Sequence, residues 1–321
     1  MLIISEKDMN NTICIGEMID SIEQAYHLYE QQAFQMNTRT HISLNSDTFL
    51  LMPCVANHFL GTKIVSVFPN NKNLPVTQGL MLLADGETGE AKAMLNGTLL
   101  TNLRTGAIGG AAIRHLAAPY THSVGLIGTG VQGLYQLLAA CHERDIQDIY
   151  LYNRTREKAT VFSKDLKRRI SPHIRIHTEN KLDKVVERSD IIITATTSET
   201  PVLPNHSMIY NGKLIIGIGS FQPHMRELPD ELFKETASIF IDTQDARLES
   251  GDIIDPIQNQ WINESQVMPF SQVITEKIKP MIDPEKPTIF KSTGSALFDV
   301  VTAEAIYYKA IQKGIGQKIA L

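Results

Sequence analysis

The sequence predicts an α/β protein: a Rossmann-type, doubly wound parallel sheet joined to a second α+β domain. Three observations carry that expectation. From Ser123 onward, short apolar runs alternate with amphipathic ones: "SVGLIG", "VQGLYQLLAACHER", "DIYLYN", "REKATVFSKDLKRR", "HIRIHT", "KLDKVVERS", "DIIITAT". Strands that are apolar throughout belong to a parallel sheet covered on both faces. The first strand-to-helix turn reads Gly128-Thr129-Gly130-Val131-Gln132-Gly133, the G-x-G-x-x-G spacing of a dinucleotide-binding turn. Before Ser123 the rhythm differs, because β-rich runs follow one another without helices between them.

Taken in order, "LIIS" is a short strand, and "GEMIDSIEQAYHLYEQQAF" sets Met18, Ile19, Ile22, Ala25, Tyr26 and Tyr29 at helical spacing. "THISLN", "TFLLMPCVA", "FLGTKIVSVFP" and "GLMLLAD" are strands punctuated by Asn, Asp, Pro and Gly, which predicts an antiparallel or mixed sheet. "ADGETGEAKAML" is a hairpin turning at Asp85 to Gly89. "LRTGAIGGAAIRHLA" aligns Leu103, Ala107, Ile108, Ala111 and Leu116 on one helical stripe. Each glycine there costs helix stability, up to ~1 kcal/mol, so the glycines mark the close approach of another backbone or a ligand. After Pro119 the alternating half begins, and it later adds "KLIIGIGS", "DELFKE" and "SIFIDT". The tail "ALFDVVTAEAIYYKAIQKGI" is a long helix with Leu297, Val300, Val301, Ala305 and Tyr308 at helical spacing, expected to pack back on the first domain. The expected division is therefore residues 1–118 with 297–321, and residues 119–296.

A chain of 321 residues suits about two domains. Its net charge of −5 argues against binding to nucleic acid or an anionic membrane. No apolar run approaches the ~20 residues of a spanning helix, and "MLIISEKDMNN" lacks the apolar core of a signal peptide. Cys14, Cys54 and Cys141 have no metal-ligand spacing, so no metal site is expected. An odd, sparse count fits reduced thiols in a cytoplasmic protein.

The glycine loop assigns a nicotinamide dinucleotide. Gly128 permits the tight turn, Gly130 lets the backbone approach the pyrophosphate, and Gly133 lets strand and helix pack closely. The free N–H groups at the helix start, with Thr129, Val131 and Gln132 around them, hold the phosphates. An NAD-preferring site ends its second strand with an acid for the ribose diol. Here that strand ends "LYNRTREK", with Asn153 in the acid's place, followed by Arg154 and Thr155. A guanidinium grips a 2′-phosphate that a carboxylate would repel, so NADP(H) is expected over NAD(H), with NAD(H) still possible. Thr196, after the fourth strand of the alternating half, and Thr105 are expected to line the cofactor cleft.

Two cations stand out in apolar surroundings. Arg104 sits in "MLNGTLLTNLRTGAIGGAAIRHL", where a buried guanidinium needs an anion. That anion is either a substrate carboxylate or a protein acid at a domain junction. Lys63 sits inside "FLGTKIVSVF". Partial burial would make it a proton donor or acceptor near neutral pH; the other reading is an edge-strand lysine that discourages aggregation.

Together "GTLLTNLRTGA", "GTKIVSVFPNN", "GLMLLADGETG", "GTGVQG", "GSFQPHMREL" and "FKSTGSALFDVVTA" resemble the ornithine cyclodeaminase/mu-crystallin family, in the same order and over nearly the whole chain. The resemblance implies a homodimer whose second domain, built from the first third and the C-terminal helix, binds a small amino or imino acid and dimerises. It implies that Arg104 and Arg39, in "NTRTHIS", hold the substrate carboxylate. It places Lys63 at the reacting carbon and nitrogen, and Gln78, in "PVTQGL", beside the substrate. One departure matters. Cyclodeaminases carry an Asp two residues before the proline of "GSFQPHMREL"; that proline is Pro223 and the position is Phe221. A phenyl ring accepts no proton, and Glu227, six residues on, is not expected to replace it. The expectation is therefore an NAD(P)H-dependent reductase that turns a cyclic imino acid, of the pyrroline-2-carboxylate or piperideine-2-carboxylate type, into the L-amino acid. Ornithine cyclodeaminase, an amino-acid or opine-type dehydrogenase, and a non-catalytic NADP(H)-dependent binding protein remain as alternatives.

Overall fold

A computed structural model describes residues 1–37 and 39–320, which divide into two units. Unit 1 is Met1–Arg104 with Ser295–Leu321. It contains β1 (Leu2–Ile4), α1 (Glu6–Thr12), α2 (Ile15–Glu30), β2 (Phe34–Met36), β3 (Thr40–Leu44), β4 (Asp47–Ala56), β5 (Phe59–Val67), β6 (Thr77–Asp85) and β7 (Ala91–Asn96). It also contains the start of α3 (Gly97–Leu116), all of α11 (Ala296–Lys313) and β16 (Gln317–Lys318). Its sheet runs β16-β1-β7-β6-β5-β4-β2, with β3 on β4. The β1–β7 pair is parallel and the other pairs are antiparallel, so the sheet is mixed. The β6–β7 hairpin turns where Asp85 accepts hydrogen bonds from Glu87 and Thr88.

Burial alternates along β5 and puts Phe59, Gly61, Lys63 and Val65 on its covered face. Helix α11 packs on β4 and β5, and α2 packs on α11; the Tyr26 ring meets Phe298 edge to face at 5.0 Å. The buried side of α11 is not quite the expected one. Ile306 and Ala310 are buried, whereas Tyr308 is exposed and Ala305 half-buried. The first two turns of α11 are covered all round, so apolar spacing alone does not fix which stripe continues inward.

Unit 2 is Thr105–Gly294. The dividing point falls inside α3, ahead of the 118/119 boundary expected at Pro119. The glycines of α3 explain it: a Cβ at Gly106 would stand 2.7 Å from the Tyr135 carbonyl oxygen, so the second half of α3 lies against α4. Unit 2 alternates β8 (Ser123–Ile127), α4 (Val131–Glu143), β9 (Asp148–Tyr152), α5 (Arg156–Leu166), β10 (Arg175–Thr178), α6 (Leu182–Glu187), β11 (Ile191–Thr194) and β12 (Leu214–Gly217). It continues with α7 (Asp230–Glu235), β13 (Ser238–Ile241), α8 (Ala246–Glu249), α9 (Gly251–Gln258), β14 (Val267–Pro269), α10 (Ser271–Ile274) and β15 (Thr288–Lys291). The strand order is β10-β9-β8-β11-β12-β15-β13-β14, and every pair is parallel. This is the doubly wound arrangement, with its order reversing between β8 and β11. Strand β15, absent from the sequence reading, inserts between β12 and β13. Its "TIFK" is fully buried but only four residues long, too short to show a period. The core is aliphatic, with Ile192, Ile215, Ile239 and Ile289 from successive strands and Phe233 from α7.

Candidate active site

Lys63 is buried in the middle of unit 1, with 2% of its surface exposed. Strand β5 lies between β4 and β6, so Lys63 does not guard an edge. The answer to its charge, and to that of Arg104, is Asp299 in the first turn of α11. Lys63 Nζ lies 2.7 Å from Asp299 Oδ2, and Arg104 Nε donates to Asp299 Oδ1 at 3.1 Å. All three side chains are buried. Burial pulls the Lys63 pKa down to about 8, with the Asp299 charge opposing and the charges of Arg104 and Arg39 adding to the fall. At neutral pH the amine is therefore mostly protonated and close to giving its proton up. Two buried cations share one carboxylate, which leaves a positive charge in excess before the half-buried Arg39 is added. The Arg104–Asp299 bond uses one of five guanidinium N–H donors.

Sheet register explains which residues meet there. Thr40 pairs with Leu51, and Met52 pairs with Lys63. Arg39 stands immediately before β3, and its charge is felt at Lys63. Gln78 goes elsewhere: it pairs with Ser66, while Lys63 pairs with Met81. Alternation therefore turns Gln78 to the opposite face of the sheet from Lys63, and the structure does not bring these two together. Cys54, on the Lys63 side, is held as the neutral thiol: burial and the Asp299 charge push it up to about 12.

In unit 2 the glycine loop has the shape a dinucleotide needs. Gly128 has φ +95°, and a Cβ there would stand 2.6 Å from the Ala195 carbonyl oxygen. A Cβ at Gly133 would meet the Gly128 carbonyl oxygen at 2.7 Å, so strand and helix touch through it. At Gly130 a Cβ would meet nothing within 4 Å, so open space adjoins the uncapped start of α4. Beside it the buried Thr129 Oγ1 has no hydrogen-bond partner among the described residues. These features fit a bound pyrophosphate. Val131 is exposed and Gln132 half-buried. Asn153 ties two loops together: its Oδ1 accepts from the Thr129 N–H at 3.2 Å and its Nδ2 donates to the Thr155 carbonyl. Arg154 and Thr155 are exposed beside it. The Thr105 carbonyl accepts from Gln136 Nε2 on α4.

Thr196, two residues beyond β11, donates through N–H and Oγ1 to Glu227 Oε1 at 2.6 and 2.7 Å. The other oxygen of Glu227 accepts from the Gly219 and Ser220 N–H groups. Glu227 is thus a buried clamp on the loops after β11 and β12, and its carboxylate is fully occupied. Phe221, in the place of a cyclodeaminase acid, is partly exposed. Among the described residues no cluster of His, Cys, Asp and Glu could hold a metal ion.

The profile of the ornithine cyclodeaminase/mu-crystallin family matches residues 1–314. The chain belongs to that family. Delta(1)-pyrroline-2-carboxylate reductase of Bacillus cereus is 33% identical, with 99% of each chain covered. Among solved structures of the family fold, Thermococcus litoralis Delta(1)-pyrroline-2-carboxylate reductase in complex with NADH and L-proline matches with TM-score 0.92 at 31% identity, over 99% of this chain and 100% of that one. An archaeal alanine dehydrogenase dimer with bound NAD matches with TM-score 0.91 at 29% identity, over 100% and 99%.

Asp299 is the residue the sequence reading missed. It lies in the quoted "FKSTGSALFDVVTA", as a lone acid in an apolar helix start. That is the same signal that marks Arg104: a lone charge among apolar neighbours.

Proposed function

We propose that this protein is an NAD(P)H-dependent reductase of a small cyclic imino acid, of the pyrroline-2-carboxylate or piperideine-2-carboxylate type, and that it forms the L-amino acid. The observation that carries this is the buried Lys63–Asp299–Arg104 cluster with its surplus of positive charge, in a chain whose other unit bears a dinucleotide loop. Terminal N–H donors of Arg104, supported by the Arg39 charge, take the substrate carboxylate as a bidentate pair. The Lys63 ammonium gives one proton to the imine nitrogen and is restored from solvent. A bound reduced nicotinamide supplies the hydride that C2 accepts, so C=N becomes CH–NH. Gly128, Thr129, Gly130, Val131 and Gln132 hold the pyrophosphate, and Thr105 and Thr196 border it.

Two finer statements belong to this reading. Asn153, Arg154 and Thr155 favour NADP(H), since no carboxylate at the end of β9 opposes a 2′-phosphate. A homodimer forms through the outer face of the unit 1 sheet. The lack of an acid at Phe221, with Glu227 locked on backbone N–H groups, favours simple imine reduction over cyclodeamination, which must also expel ammonia.

The test is one spectrophotometric panel. Purified protein is mixed with NADPH or NADH and pyrroline-2-carboxylate, piperideine-2-carboxylate or pyruvate plus ammonia, and separately with ornithine plus NAD. Oxidation of the reduced cofactor with the cyclic imines is expected. Ammonia released from ornithine, or turnover confined to pyruvate plus ammonia, overturns the proposal.

A further inference from the structure

We infer that Asp299 is a positioning residue for this reaction: it holds the Lys63 ammonium with one oxygen and the Nε edge of Arg104 with the other, so that both cations serve one substrate. This rests on the reading above and deepens it.

Lys63 comes from β5, Arg104 from α3 and Asp299 from α11, and among the described residues the Asp299 carboxylate is the group that pairs with both cations. Without it, two like charges would face each other inside the protein and turn apart. Bonding at Nε directs Arg104 by its inner edge and leaves the terminal edge to face an incoming carboxylate. The first turn of an 18-residue helix is a favourable place for the negative charge. A purely structural ion pair would be matched one to one, and an apolar replacement would serve stability as well. One acid between two cations instead keeps Lys63 charged in a site that otherwise discourages charge, while still leaving room for a substrate anion.

The groups that face Lys63 are Asp299 from α11, Arg104 from α3, and Arg39 from the segment before β3, with Cys54 nearby on β4. Of these, Asp299 alone favours the ammonium. Removing its charge lowers the Lys63 pKa, so the protonated, proton-giving form is lost at lower pH. The experiment is the pH profile of kcat/KM with pyrroline-2-carboxylate for the wild type, Asp299→Asn and Asp299→Glu. The imine's own titration is common to all three, so a difference between profiles belongs to the enzyme.

In Asp299→Asn the alkaline limb should move to lower pH by about 1–3 units. In Asp299→Glu the limb should stay in place while kcat/KM falls about 10–100-fold from misplacement. A uniform loss in Asp299→Asn at all pH values, with the limb unmoved, marks a merely structural role and overturns the inference. If Asp299→Asn does not fold, Asp299→Glu decides: an unimpaired enzyme, or a limb that shifts with the charge retained, overturns it equally. A wild type that turns over no cyclic imine instead rejects the function, and that outcome is separate from either of these.

Discussion

At residue scale, the proposed cofactor preference turns on Asn153, which does two things at once. Its amide joins the glycine loop to the start of α5 through Thr129 and Thr155, and it is neutral where an acid would select the ribose diol. Asn153→Asp keeps the acceptor for the Thr129 N–H but loses the donor to Thr155 and sets a negative charge against a 2′-phosphate. A charged contact of this kind is worth about 1.5–3 kcal/mol. The ratio of kcat/KM for NADPH over NADH should therefore fall about 10–100-fold in Asn153→Asp, and should fall in the same direction in Arg154→Ala. A wild type that prefers NADH, or a ratio unchanged in both variants, removes the proposed preference. The glycine turn itself was legible because it is local: strand, glycines and helix lie within one short stretch. Arg104 and Lys63 were legible as charges in oily surroundings. Asp299 carries the same mark, a lone charge in an apolar helix start, but its pairing was not legible: it lies 195 residues from Arg104 in sequence, and local spacing does not say which distant charges meet.

At the scale of elements, the approach of α11 to the sheet is what puts Asp299 within reach of Lys63, and Gly61 permits that approach. A Cβ at Gly61 would stand 2.9 Å from Val300 Cγ2 and 2.7 Å from Met81 Cε. The methionine tip can swing away, but the β-branched valine is stiff and sits next to Asp299. Gly61→Ala should destabilise the protein by about 1–3 kcal/mol as an overpacked core, measured by urea unfolding. Adding Val300→Ala should recover part of the loss, because the two positions are in contact and their effects do not add. Strict additivity would show that α11 is not seated on β5 as described. The helices and strands themselves were largely readable from period and punctuation. What period could not supply was the insertion of β15 between β12 and β13, or the side of α11 that continues inward, because buried four-residue strands and fully covered helix turns carry no alternation to read.

At the scale of the whole molecule, the outer face of the unit 1 sheet asks for a partner. The register puts Ile42 opposite Phe49 and Leu44 opposite Asp47 on β3 and β4, and Val55 opposite Leu60 on β4 and β5. Ile42, Leu44, Phe49, Val55 and Leu60 thus lie on one face, and all are exposed. Exposed apolar side chains gathered on one face mark an interaction site, and the symmetric use of one patch by two copies is the commonest solution. Gln78 lies in this face too, in the row of Phe49 and Ser66, so its proposed closeness to a substrate cannot come from the Lys63 side of its own sheet. The proposed homodimer is tested by light scattering on the wild type and on Val55→Asp with Leu60→Asp. These positions are cross-strand neighbours that point away from Lys63, so the doubled charge breaks the apolar contact without entering the cluster. The wild type should run at twice the chain mass and the double variant as a monomer, with far-ultraviolet circular dichroism unchanged. A monomeric wild type rejects the homodimer, and a dimer that survives both charges places its interface elsewhere; either outcome leaves this apolar face without its partner.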